Sequence, residues 1–481
     1  FGSRSIRIVP CRVLQFPTSL CNACHHLECL SCVAAQSLGM MMRSSAGTVA
    51  CTSLALLARL ASSAASAKTG ICWGHQFRGG SCSNVDFEGA TAVYSTGQAF
   101  MLITGGSGSA QCWGQTAYGG QCDHDFSGTT NVYSNEYAFF ALNGNAGTGH
   151  CWGFSAYGGE CTGRDFTGIT AVYSTWFAFF AVNTLNGVGQ CWGDSNYGGS
   201  CDGIDFSGYT DVYSNRYAFA ALNKNTVTVY CWGDPDYGGA CASDSLKSLK
   251  TVTDVVTTWG AFMAFDADSG TALCWGDKSY GGDCASLNFA GITDVYSTGH
   301  AFLAFNRNTG KTLCWGHSAY GGECSGIALA GVSSVFSSGY AFVAWIPVAQ
   351  TAICWGDAQF GGDCTGVDFQ SVTDIYSTRF MFMALDRHTG VTQCWGGLHS
   401  ECPANRMQAV IAIYNNVDAF VAIMAEVTTS TTTSTTAMST TLRTSTSTST
   451  ITTTSTPPPT PAPTPAPTPS PTPPPTPPPT P

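Results

Sequence analysis

Between residues 70 and 427 the hydrophobic positions come in short bursts rather than at helical spacing. Around residues 210–233 they form three runs: Thr210-Asp211-Val212-Tyr213-Ser214, Ala218-Phe219-Ala220-Ala221-Leu222, and Val227-Thr228-Val229-Tyr230-Cys231-Trp232-Gly233. Each run is rich in β-branched and aromatic residues and is bounded by polar or Gly-containing turns. That pattern predicts three strands joined by hairpin-length connections. No run reaches the length of a helix. A loop, Tyr237-Gly238-Gly239, follows, and then a second cysteine, Cys241.

The triplet recurs along the chain. Cys-Trp-Gly begins at Cys72, Cys112, Cys151, Cys191, Cys231, Cys274, Cys314, Cys354 and Cys394, in steps of 40, 39, 40, 40, 43, 40, 40 and 40 residues. A fixed period of this size marks a propeller, a solenoid or a bead array, in which each unit buries its apolar face against the next. The array opens with a lone third strand at 70–74. It closes with the first two strands of a unit, 411–414 and 419–423. Paired, these fragments make a ninth unit and remove the exposed sheet edges. The expected fold is all-β: a repeat β-propeller of about nine small three-stranded blades over 68–427, closed by the N- and C-terminal strands and followed by a disordered Thr/Ser/Pro tail. Propellers usually have about four to eight blades, so an open superhelical arc is the competing arrangement.

Composition changes this picture at both ends. Met40, Met41 and Met42 precede Arg43, an apolar stretch at 46–61, and Ala65-Ser66-Ala67. This is the layout of a signal peptide over 40–67, with Arg59 interrupting its apolar region, and it makes 1–39 an untranslated or artefactual extension. Cys21, Cys24, Cys29 and Cys32, beside His25 and His26, have metal-site spacing but fall within that extension. Removing 1–67 moves the net charge from −11 to −15, which argues against a nucleic-acid partner. From residue 428 to 481 the chain is nearly all Thr, Ser, Pro and Ala, with Arg443 its one charge. That composition suits an extended, O-glycosylated stalk, and an anchor beyond Pro481 would fit it.

Of 24 cysteines, 18 lie in the array, two to a unit. The pairs are Cys72 with Cys82, Cys112 with Cys122, Cys151 with Cys161, Cys191 with Cys201, and Cys231 with Cys241. They continue as Cys274 with Cys284, Cys314 with Cys324, Cys354 with Cys364, and Cys394 with Cys402. Either each unit staples its own Gly-Gly loop, or each second cysteine bonds the next blade. The persistence of the shortened last pair favours local staples, and so an oxidising compartment.

The pattern A-F-x-A-L, a turn, then C-W-G-x-x-x-Y-G-G resembles the repeat of the regulator-of-chromosome-condensation propellers over about residues 70–427. In its length and three-strand content it is similar to the short type seen in the propeller-type β-lactamase inhibitor protein. The resemblance implies a propeller fold. It leaves function open, because the family includes exchange factors, inhibitors and binding modules. The cysteine pairs and the signal depart from the nuclear exchange factors.

Candidate chemistry lies in the loops. The Trp of each C-W-G reads as core between blades. Tyr118, Tyr157, Tyr197, Tyr237, Tyr280 and Tyr320 precede Gly-Gly, with Phe77 and Phe360 in the related loops, and are candidate ligand contacts. Asp194, Asp234, Asp277 and Asp357 follow C-W-G, and Glu160, Asp283, Glu323 and Asp363 follow Gly-Gly. They form either an acidic, cation-attracting face or a solvated rim. Asp before Phe, as at Asp125 and Asp205, reads as a turn ahead of a buried ring. No G-x-S-x-G, P-loop or H-E-x-x-H stands in the array, and neither cofactor nor metal is expected. These features point to a secreted or surface-displayed, disulfide-stapled module that recognises an extracellular glycan or protein. The alternatives are a secreted propeller enzyme acting on polysaccharide and an intracellular exchange-factor-like regulator.

Overall fold

The structure, a computed structural model, describes residues 68–425 apart from 106–107, 243–244, 398–401 and 404–406. The extension, the signal-like segment, the Cys21–Cys32 cluster and the Thr/Ser/Pro segment lie outside the described residues.

Each repeat folds as one antiparallel three-stranded sheet, giving nine sheets. In the repeat at 210–233 the strands are Asp211–Ser214, Ala218–Asn223 and Thr228–Gly233. Blades 1 to 8 occupy 90–114, 131–153, 171–193, 211–233, 254–276, 294–316, 334–356 and 374–395. Blade 9 combines Val410–Asn415, Ala419–Ala425 and the N-terminal strand Lys68–Gly74. In it Lys68 pairs with Ala425, Ile71 with Ala422 and Trp73 with Phe420.

Blade 9 touches both neighbours. The Asn415 amide donates to the Ser377 carbonyl of blade 8 (3.0 Å), and the Ser95 hydroxyl of blade 1 donates to the Asn415 carbonyl (2.9 Å). The same bond recurs between other blades, as from Ser134 to Ser95 (2.6 Å), Ser174 to Ser134 (3.1 Å) and Ser214 to Ser174 (2.7 Å). The first strand of each blade therefore lies innermost. Each sheet stays an open ribbon, while the array of nine returns on itself, which sets aside the open arc.

Packing follows from the A-F-x-A-L and C-W-G pairing. The Phe of the middle strand stacks on the Trp of the outer strand in all nine blades, with ring centroids 4.9–5.4 Å apart. Residues alternate sides along the strand. Phe100 and Leu102 pack toward Val421 and Ile423 of blade 9, and Ala99 and Met101 toward Phe139 and Ala141 of blade 2. In six of the blades the indole N–H reaches back one blade, as from Trp152 to the Gly119 carbonyl (3.3 Å). Gly119 takes φ +95°, and a Cβ there would come within 2.5 Å of Phe139, so only glycine fits.

Nine disulfides staple the outer loops, each within its own unit, with Cα atoms 5.5–5.9 Å apart. Cys72 bonds Cys82, Cys112 bonds Cys122, Cys151 bonds Cys161, Cys191 bonds Cys201 and Cys231 bonds Cys241. Cys274 bonds Cys284, Cys314 bonds Cys324, Cys354 bonds Cys364 and Cys394 bonds Cys402. None of the second cysteines reaches the next blade, so of the two pairings open in the sequence the local one is found. The longer unit before blade 5 forms an extra turn, Ser245–Ser248. Its Leu246, with Leu249 just beyond, is buried against Phe262, filling the place that Phe206 takes one unit earlier.

Candidate functional site

A side chain at the turn between inner and middle strands organises one face of the ring. Asn135 Oδ1 accepts from the backbone N–H of Tyr137 (2.8 Å) and Ala138 (2.7 Å), while its amide donates to the Tyr157 carbonyl (2.7 Å). Asn215 does the same toward Tyr237, and Thr96, Thr175, Thr258 and Thr298 reach the matching carbonyls through their hydroxyls. Each cap ties a Tyr-Gly-Gly loop to the inner turn. The loop aromatic therefore sits beside the residue that follows the turn.

The result is a continuous arc of rings. Tyr118 meets Tyr137 (5.2 Å), Tyr137 meets Tyr157 (5.0 Å), Tyr157 meets Phe177 (5.0 Å), and Phe177 meets Tyr197 (4.6 Å). The arc continues through Tyr217, Tyr237 and Tyr280 at 5.5, 4.4 and 6.1 Å. It then runs through His300, Tyr320, Tyr340, Phe360 and Phe380 at 5.0, 4.7, 5.1, 4.7 and 5.4 Å. The longest step is at Gly260, which offers no ring between Tyr237 and Tyr280. All six tyrosines singled out from the sequence lie in this arc, each partly buried.

Phe77 does not join them. The residue before Gly79-Gly80 is Arg78, and Phe77 stands one place earlier, 69% exposed. Arg78 ion-pairs with Asp418, the residue after the turn in blade 9. At the seam a salt bridge thus takes the place of the ring contact, and Gln98 of blade 1 completes the gap.

Asp194, Asp234, Asp277 and Asp357 cap the short turns that carry the loop aromatics. Each carboxylate accepts a backbone N–H two residues on: Asn196 (2.9 Å), Asp236 (3.0 Å), Ser279 (2.7 Å) and Gln359 (2.8 Å). Their charge still reaches the arc. Burial first, then Asp194 and Asp234, push the Tyr197 phenol up. Asp125 and Asp205 hold the turn ahead of Phe126 and Phe206, each accepting from a serine N–H at 2.8 Å. Among the described residues no group of His, Cys, Asp and Glu is placed to hold a metal ion.

The arc surrounds a hub that repeat reasoning missed. At the position just before the arc residue the nine units carry Gly97, Glu136, Trp176, Arg216, Trp259, Gly299, Gly339, Arg379 and Val417. Side chains from distant blades meet there, so they lie on the ring axis. Arg379 of blade 8 ion-pairs with Glu136 of blade 2 at 2.9 Å, with the two side chains 15% and 6% exposed. Its guanidinium also lies 4.2 Å from the Trp176 ring centre. Arg216 lies in the angle between Trp176 and Trp259, its guanidinium carbon 3.3 Å from each ring centre and the two ring planes inclined at 60°. The glycines make room: a Cβ on Gly97 would strike Glu136, and one on Gly299 would strike Trp259.

Burial sets the hub's electrostatics. It pushes Glu136 up against the opposing pull of Arg379. It lowers Arg216 to about 10, helped by Arg379, so the guanidinium stays charged at neutral pH. It holds His300, packed 4.5 Å from Trp259, down to about 4. The signal for the hub was present in the sequence: it is a position that does not repeat where its neighbours do.

No family model matches the chain, and no curated protein matches it. Among solved structures the chain is similar to yeast RCC1 (Prp20) at 11% identity, covering 75% of this chain and 90% of that one with TM-score 0.36. It is similar to human WBSCR16 at 14%, covering 74% and 99% with TM-score 0.35. It is also similar to the ectodomain of the Physcomitrella patens receptor kinase CR4 at 15%, covering 55% and 71% with TM-score 0.34. The fold itself is established by the strand pairing and the shared ninth blade.

Proposed function

We propose that residues 68–425 are a secreted or surface-displayed recognition module whose aromatic arc binds a glycan chain. The observation that carries this reading is the unbroken run of ring contacts from Tyr118 to Phe380. Partly exposed aromatic rings offer flat apolar surface to the C–H faces of sugars while their polar tips stay wet. Asp194, Asp234, Asp277 and Asp357 add fixed acceptors at the rim. Nine disulfides suit an oxidising compartment, and residues 428–481 would serve as an O-glycosylated stalk.

Binding is favoured over hydrolysis by the state of the carboxylates near the axis. Glu136 is tied to Arg379 and Asp418 to Arg78, whereas glycoside hydrolysis works with a pair of carboxyl groups poised for acid and base or nucleophilic roles.

A glycan array probed with the purified secreted chain tests the proposal. The expected result is binding to a defined oligosaccharide class, lost when Tyr217→Ala and Tyr237→Ala are combined while the fold is kept by circular dichroism. Absence of any glycan ligand, or a ligand indifferent to those tyrosines, would overturn it.

A further inference from the structure

Resting on the glycan reading, we infer that Arg216 is the anion-accepting centre of this face and receives a carboxylate of the bound glycan, such as a uronic acid supplies. The hub holds two guanidinium groups and one carboxylate, and that carboxylate is already engaged by Arg379. Among the described residues Arg216 has no ion-pair partner. Its Nε is buried with no hydrogen-bond acceptor. The residue as a whole stays partly exposed.

The two indoles determine how an anion can approach. Trp176 and Trp259, their ring planes inclined at 60° to one another, flank the guanidinium, so an anion reaches it only on the sides that the two indoles leave open. A guanidinium held rigid and weakly hydrated matches the two oxygens of a carboxylate. Burial strengthens such a contact because water competes less there.

Location joins this site to the arc. Arg216 shares Trp259 with His300 and Tyr340, whose rings lie 4.5 and 5.3 Å from that indole. A sugar stacked on the arc would therefore hold a carboxylate within reach of the axis. The chain's net charge of −11 repels dense polyanions at long range. The site thus suits one localised carboxylate, as in a glycan of neutral sugars with occasional uronates, rather than a heavily sulfated chain.

The experiment compares a uronic-acid trisaccharide with its carboxyl-reduced, neutral counterpart by calorimetry on the full chain. The unmodified chain should bind the charged form about ten to a hundred times more tightly, the range of one charge-assisted contact. The preference should vanish in Arg216→Gln and survive in part in Arg216→Lys. Equal affinities in the unmodified chain, or an undiminished preference in Arg216→Gln, would overturn the inference and leave the glycan reading standing. Binding of neither sugar would overturn the inference, and absence of any ligand on the glycan array as well, with or without binding of a peptide through its C-terminal carboxylate, would overturn both. The unmodified comparison holds even where a variant fails to fold.

Discussion

At the scale of single residues, the positions that repeat and those that do not have different jobs. The repeated Trp, Phe and Gly-Gly form the blade core, and their roles were legible because any of the nine copies reports on the others. The Trp192 indole, for example, donates to the Gly158 carbonyl at 3.2 Å and stacks on Phe179. The hub was not legible in this way. Glu136 and Arg379 are 243 residues apart, and only ring closure brings them together. Arg78 was passed over for a related reason. Matching Phe77 to tyrosine by chemical likeness overrode the count from Cys72, which puts Arg78 opposite Tyr118, and its partner Asp418 lies 340 residues away.

His300 gives a test at the same scale. Burial among Trp259, Tyr280, Tyr320 and Tyr340 brings its pKa down to about 4, against a hydrogen bond with the Gly339 carbonyl. The unfolded chain holds the same proton up to about pH 6.5. Between these values the unfolded state binds a proton that the folded state refuses, so stability falls as pH drops from about 6.5 toward 4. Above that window the group has no effect. Urea midpoints at pH 7 and pH 4.5 should therefore differ less in His300→Phe than in the unmodified chain. An identical pH dependence in the two would show that His300 titrates normally.

At the scale of the element, the strands were the most legible feature. The run at 210–214 became Asp211–Ser214, and the lone opening strand at 70–74 became Lys68–Gly74. Alternation, β-branching and turn residues all pointed the same way, and small sheets leave little tertiary freedom to override them. The loops were less legible because their conformation depends on a side chain from another segment, as when Asn135 holds Tyr157. The disulfides act on those loops. Cys191–Cys201 closes a loop of ten residues' separation beside Phe206 and Trp232. Replacing both cysteines with alanine removes a constraint worth about 2–3 kcal/mol on the chain-entropy estimate for so short a loop. Urea unfolding of the double variant should show a loss of that order with the sheet signal retained in water. A loss near zero would mean that the caps and stacks alone hold the loop.

At the scale of the whole molecule, the decisive feature is where the chain is cut. Blade 9 takes two strands from 410–425 and its outer strand from 68–74, so the break falls between the second and third strands of a unit. In its core stacking that blade is like the others: Trp73 stacks on Phe420 at 5.1 Å as Trp232 stacks on Phe219 at 4.9 Å. Lys68 and Ala425 are register partners, so a short linker can join them. A permutant joining 425 to 68 and opened in the exposed hairpin between Asn223 and Thr228 reproduces the native closure one blade at a time, at blade 4. Its loop-closure cost changes only logarithmically with the new connection. Opening the ring instead between Ser214 and Ala218 cuts beside Asn215, whose amide holds Tyr237, and frees Arg216 from the axis. The first permutant should melt within a few degrees of the same 68–425 segment in native order, and the second well below it. Equal melting of the two permutants would show that the inner turns and the hub contribute nothing to holding the ring.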